Sequence, residues 1–202
     1  MDCRHCCLLG LIVALLSVAL VGSSASGEFR IDGFNVVVSQ RHPFGSESAR
    51  KSLALAKQAG ATSIAIVPFL WQPSSASVNV VRGSDMDDEE LRQAIRDARK
   101  LGLTIVVKPH VWVDGSCAGA VAARSEGDWR AWFARYGAEI TRMARVAAEE
   151  RADIFCIGTE LLKTIERSEW EGVVKAARAV FPGALIYAAH NVDEAEMVPF
   201  WD

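Results

Sequence analysis
Short, mostly apolar runs alternate along this chain with segments of helical periodicity, and that alternation narrows the possible folds more than any other feature. The runs lie at residues 31–38, 63–67, 103–107, 153–158 and 184–189. Several lack the polar/apolar alternation of a strand with one wet face, as expected of strands covered on both sides. Helical stretches are predicted between them at residues 46–59, 87–101 and 128–149, and from 168 to the Pro182-Gly183 stop. In the second, Leu91, Ala94, Ile95 and Ala98 recur at i, i+3, i+4 and i+7. In the third, Trp129, Trp132, Phe133, Tyr136, Ile140, Met143 and Ala147 form one stripe. Gly60 and Gly102 stand where helices stop, and Ser125/Asp128 and Ser168/Glu171 have capping-box spacing.

Buried parallel strands joined by helices give two architectures: an open doubly wound sheet or a closed (β/α)8 barrel. No Gly-x-Gly-x-x-Gly follows the first strand, so dinucleotide binding has no support. Polar and aromatic residues instead gather just after nearly every strand: Gln40-Arg41-His42, Phe69-Leu70-Trp71-Gln72, Lys108-Pro109-His110-Val111-Trp112, Thr159-Glu160 and His190-Asn191. In a barrel all these positions ring one mouth, where barrel active sites sit, and the distribution favours that fold. A closed barrel needs eight strands and typically about 250 residues. Five strand units are legible here, the last without its helix, so the expectation is the first five strand–helix units of a TIM-type α/β barrel. An open piece of this kind leaves its first and fifth strands as edges.

The N-terminus reads as an address. Arg4 and His5 precede an apolar run from Cys6 to Val21, and small residues follow through Gly27. This is the pattern of a secretory signal peptide, with cleavage expected after Ala25; an uncleaved anchor is the alternative. The organisation expected is thus a signal at 1–25 and an incomplete catalytic domain at 26–202, secreted or periplasmic, with no membrane association after cleavage. Cys117 and Cys156 remain, which is not a disulfide framework. A net charge of −3 argues against a nucleic-acid partner.

The chemistry centres on Gly158-Thr159-Glu160. A carboxyl at the tip of a buried strand is costly to place without a purpose, and a polar cleft there can hold it as a general acid. Its bland alternative is an ion pair, for instance with Lys108. Trp71 and Trp112 offer flat apolar faces to a sugar ring; Trp201, at the last junction, is a weaker candidate. Trp129, Trp132 and Trp170 belong to helix stripes and the core. His110 can bond a sugar hydroxyl or orient Glu160, Lys108 can support the site, and His190 and Asn191 are further substrate contacts. His42, His110 and His190 with Glu160 form a conceivable metal set, but the spacing is not diagnostic and no metal is expected. The acidic run from Asp85 to Glu90 reads as helix-opening charge.

Ile157-Gly158-Thr159-Glu160-Leu161 resembles the acid/base strand of glycoside hydrolase family 113, a group of barrel β-mannanases and relatives. Matching stretches are Leu101-Gly102-Leu103, Lys108-Pro109-His110, Asp128-Trp129-x-x-Trp132-Phe133, Tyr187-Ala188-Ala189 and Pro199-Phe200-Trp201-Asp202. They span residues 31–202 in the expected order. The resemblance implies a secreted retaining glycosidase without a cofactor, monomeric at full length, acting on a mannan-like β-linked oligo- or polysaccharide. It implies Glu160 as acid/base and a nucleophile Glu on the seventh strand, beyond this chain. The chain alone would then lack turnover. It departs from the family pattern in having His190-Asn191 where Asn-Trp is expected, and in lacking an acidic residue just after His110. Two other readings stay in view: a catalytically silent glycan-binding fragment, and a metal-dependent barrel hydrolase.

Overall fold
The computed structural model describes residues 31–39, 41–84 and 86–199. The expected signal at 1–25, Gln40, Asp85 and Phe200-Trp201-Asp202 lie outside the described residues. The elements run β1 (Gly33–Val37), α1 (Glu47–Gln58), β2 (Ser63–Val67), β3 (Phe69–Gln72), β4 (Val81–Arg82), α2 (Asp88–Lys100), β5 (Thr104–Val107), β6 (His110–Val113), α3 (Glu126–Glu149), β7 (Ile154–Thr159), α4 (Glu169–Val180), β8 (Ala184–Ala188) and α5 (Val192–Met197).

The five apolar runs form one parallel sheet in the order β1-β2-β5-β7-β8. This is the sequential order of a barrel wall, not the reversing order of a doubly wound sheet. β7 is buried along its whole length, whereas β1 and β8, at the two ends of the order, are largely exposed or half-buried. The unbroken apolar character of β7 therefore reports its central place.

A second sheet was not legible as such. The second and third predicted strands stop at Val67 and Val107, just before Pro68 and Lys108-Pro109, and proline donates no ladder hydrogen bond. Beyond each of them the chain resumes pairing, and β3 and β6 run parallel in a three-stranded sheet ordered β4-β3-β6. The register sets Phe69 beside His110 and Trp71 beside Trp112. Leu70, Gln72, Val111 and Val113 are buried, so the alternate residues Phe69, Trp71, His110 and Trp112 share the open face. The alternation of Phe-Leu-Trp-Gln and His-Val-Trp-Val carried this information.

Helices α2, α3 and α4 cover the sheet with the predicted stripes. Leu91, Ala94, Ile95 and Ala98 are buried, as are Trp132, Tyr136, Ile140 and Met143. Trp132 stacks on Tyr136 at 4.7 Å, and Trp170 meets Tyr136 edge-on at 5.7 Å. The Tyr136 hydroxyl donates to the Ile157 carbonyl at 2.7 Å, and Trp132 Nε1 donates to Gln72 Oε1 at 2.8 Å. These two bonds fix α3 against both sheets, and they satisfy polar atoms that would otherwise be buried alone. Trp129, expected in the core, is half-buried and lies under the Arg167 guanidinium at 5.2 Å.

Two helix starts differ from expectation. α3 begins at Glu126, because Ser125 is its N-cap and accepts from the Asp128 N–H at 3.1 Å. Ser168 makes no side-chain cap, since its own backbone is already helical. Arg167 instead binds Glu126 and Glu169 across that junction. The acidic run does open α2: Asp87 and Glu90 form a complete capping box, and Asp88 pairs with Arg82 and Arg142. Among the described residues, no helix is long and apolar enough to cross a membrane.

Candidate active site
In a parallel sheet every strand's C-terminal end lies on one edge, so the segments after β2, β5, β7 and β8 share one rim. Glu160 stands on it directly after β7, with its side chain 40% exposed. Its backbone is left-handed at φ 54°, which a residue bearing a Cβ adopts only when its surroundings enforce it. The enforcing contacts are main-chain bonds on both sides. The Glu160 N–H donates to the Ala188 carbonyl at 2.8 Å, and the Leu161 N–H donates to the Tyr187 hydroxyl at 2.8 Å.

The partner of the Glu160 carboxylate is His190, whose Nδ1 lies 3.6 Å from Oε2. Glu160, His190, Asn191 and Glu194 line one cavity of about 280 Å³, together with Gly119 and Leu162. Asn191 caps α5, its Oδ1 accepting from the Glu194 N–H at 2.9 Å, so its amide nitrogen is the part left for a ligand. A wider groove of about 640 Å³ lies on the outer wall between α3 and α4, away from every candidate residue.

The opposite side of the rim is joined to Glu160 through its neighbour. The Thr159 hydroxyl donates to the Pro109 carbonyl at 2.8 Å, which sets Glu160 and His110 as the next residues along two tied strands. His110 senses both Glu160 and Lys108 electrostatically, but burial is the larger influence and lowers its pKa, leaving the ring neutral at neutral pH. From His110 an aromatic wall runs outward: Phe69 meets it edge-on at 5.9 Å, and Trp71 and Trp112 follow at 5.7 Å from one another. Trp71 and Trp112 are 37% and 49% exposed. An exposed pair of indoles on the same sheet face as His110 suits a ligand with flat apolar faces and many hydroxyls.

The structure thus brings Glu160, His190 and Asn191 into one cavity, with His110 and Lys108 within electrostatic reach and the two indoles further along the rim. Neither Glu194, which follows the fifth strand, nor Phe69, within the run after the second, was singled out as a site residue from the sequence. Glu194 is buried, its Oε1 accepting from the Tyr187 hydroxyl at 2.6 Å and its Oε2 from the His190 N–H at 2.8 Å. The only signal for it was the Asn191-x-x-Glu194 cap spacing. His42 bonds Ser48 through Nδ1 at 2.9 Å, and among the described residues no three metal-binding side chains converge. Cys117 is exposed and Cys156 buried, both as free thiols.

The sequence profile described as Glycoside Hydrolase Family 113 matches residues 34–202. No curated protein matches significantly. Among solved structures, a GH113 β-1,4-mannanase superposes with a TM-score of 0.78 at 27% identity, over 85% of this chain and 59% of its own. The GH113 β-mannanase AaManA from Alicyclobacillus acidocaldarius, in complex with ManMIm, gives 0.79 at 24% identity, over 85% and 58%. This chain therefore spans a little under three fifths of the mannanases it resembles. With a family profile covering most of its length and the same parallel wall beneath it, the chain belongs to glycoside hydrolase family 113.

Proposed function
We propose that this chain carries the acid/base half of a retaining glycosidase acting on β-linked mannan or a closely related glycan, with Glu160 as the proton donor. The observation that carries the reading is the placement of Glu160: a half-exposed carboxyl on the rim, facing a cavity, beside a histidine and one strand from an aromatic wall. Glycoside cleavage needs a proton delivered to the leaving oxygen, and later the same group draws a proton from water. Glu160 is open to solvent on one side and fixed by main-chain bonds on the other, which suits both steps. Trp71 and Trp112 would stack on sugar rings, and His110, Lys108, His190 and Asn191 would bind hydroxyls.

Retention also needs a second carboxyl about 5–5.5 Å from the first. Glu194 lines the same cavity but spends both oxygens on Tyr187 and His190. The reading therefore takes the nucleophile from outside the described residues. Export is part of the proposal, supported by the charged, apolar and small-residue blocks of residues 1–25.

The test is Glu160→Gln in the complete gene product, assayed on a panel of β-glycans. A fall in kcat of about 100-fold or more, with binding retained, is expected for a lost general acid. An unchanged rate refutes the assignment. A glycan-binding role without turnover is the second reading, favoured by the aromatic wall lying wholly within the described residues. It predicts heat of binding in calorimetry with mannan oligosaccharides and no release of reducing ends.

A further inference from the structure
Glu194 is a carboxylate that the acid/base reading does not use, yet it is 1% exposed and lies on the cavity wall. Burying a carboxylate is costly unless its oxygens are matched, and here both are. What they match is informative. Oε1 takes the proton of the Tyr187 hydroxyl at 2.6 Å, leaving that oxygen's lone pairs to accept the Leu161 N–H at 2.8 Å. Oε2 takes the His190 main-chain N–H at 2.8 Å. One bonded path therefore runs from Glu194 through Tyr187 to the peptide that follows Glu160. Another runs to the backbone of the residue whose ring faces the Glu160 carboxyl.

We propose that Glu194 is a positioning residue that holds Glu160 in its left-handed conformation and His190 at its side. The inference rests on the acid/base reading of Glu160 and deepens it. The direction of the Tyr187 bond is central. The phenol donates to the carboxylate, and its pKa is raised first by burial and then by that bond, so it stays protonated. A Gln in place of Glu194 has one acceptor. If its oxygen keeps the His190 N–H, its amide faces a hydroxyl already receiving the Leu161 N–H, and the phenolic proton loses its acceptor. Gln is nearly the same size, so the substitution tests the hydrogen-bond sense and not the packing.

Two measurements decide the matter. In this chain, amide exchange of Leu161 should speed up about tenfold in both Glu194→Gln and Tyr187→Phe, the order expected for one lost buried hydrogen bond. The Phe155 and Ile157 amides in β7 should be unaffected. Unchanged Leu161 protection in folded Glu194→Gln overturns the proposal; should that variant not fold, Tyr187→Phe decides by the same criterion. In the complete gene product, a misplaced proton donor should slow mannosides with poor leaving groups and spare aryl mannosides with good ones. Glu194→Gln should show that split in milder form than Glu160→Gln. A split in Glu160→Gln alone overturns the role of Glu194. Its absence from Glu160→Gln removes the acid/base reading and the inference with it.

Discussion
The tightest point beneath the candidate proton donor is Gly158, two residues before it in β7. A Cβ there would lie 2.7 Å from the Trp170 ring and 2.8 and 3.0 Å from two Tyr187 ring carbons. The two rings are not equally free to move. Trp170 is fully buried, donates its Nε1 to the Thr164 carbonyl at 2.8 Å and is packed edge-on by Phe133 and Tyr136. Tyr187 sits on β8, at the end of the sheet order, and is the ring that gives way. Gly158→Ala should therefore cost about 1–3 kcal/mol in overpacking. Displacing the Tyr187 hydroxyl from Leu161 and Glu194 adds about 1 kcal/mol for each bond. Equilibrium urea unfolding should report a loss of roughly 3–5 kcal/mol at an unchanged m-value, the sum of those two effects. Gly172→Ala is the control: within α4 its Cβ would meet nothing within 4 Å. It should stabilise by about 0.5–1 kcal/mol through helix propensity. A Gly158→Ala variant within 0.5 kcal/mol of the parent, about the scatter of a neutral surface change, would refute the packing argument.

Other outcomes follow from the same geometry. His110 is buried with a lowered pKa, so the unfolded chain protonates it first as pH falls. Stability should decline as pH drops through about 6.5 and level off below the folded value; His110→Phe should flatten that part of the curve, read by urea unfolding at several pH values. Trp71→Ala and Trp112→Ala should each weaken oligosaccharide binding by about 1 kcal/mol or more by calorimetry, as expected for a lost aromatic platform. Equal affinity would remove the wall from the binding surface. Gln72→Leu should destabilise by about 1–3 kcal/mol, because it strands the buried Trp132 N–H.

The parallel wall was legible because burial on both faces writes itself as unbroken apolar runs, as in Ile154–Thr159, and the helix stripes repeat at the helical period. The rim position of Glu160 was legible because the residue directly follows such a run. The small sheet was hidden by Pro68 and Pro109, which end one ladder and begin another, a distinction only the neighbouring strand decides. Glu194 was hidden for a different reason. It lies in a polar stretch after β8, and the partners that match its buried carboxylate are the Tyr187 hydroxyl and the His190 main-chain N–H. Ser168 shows the converse: the capping spacing was present, but Arg167 bridging two carboxylates already closes that corner.

The central claim is that Glu160 passes a proton to and from substrate without itself bonding to the sugar. Azide with Glu160→Ala in the complete gene product tests this most directly, using an aryl β-mannoside whose leaving group needs no protonation. Azide needs no general base, so it should restore turnover and give mannosyl azide of retained β configuration. An α-configured azide would make Glu160 the nucleophile, and no azide product at all would place the proton donor elsewhere.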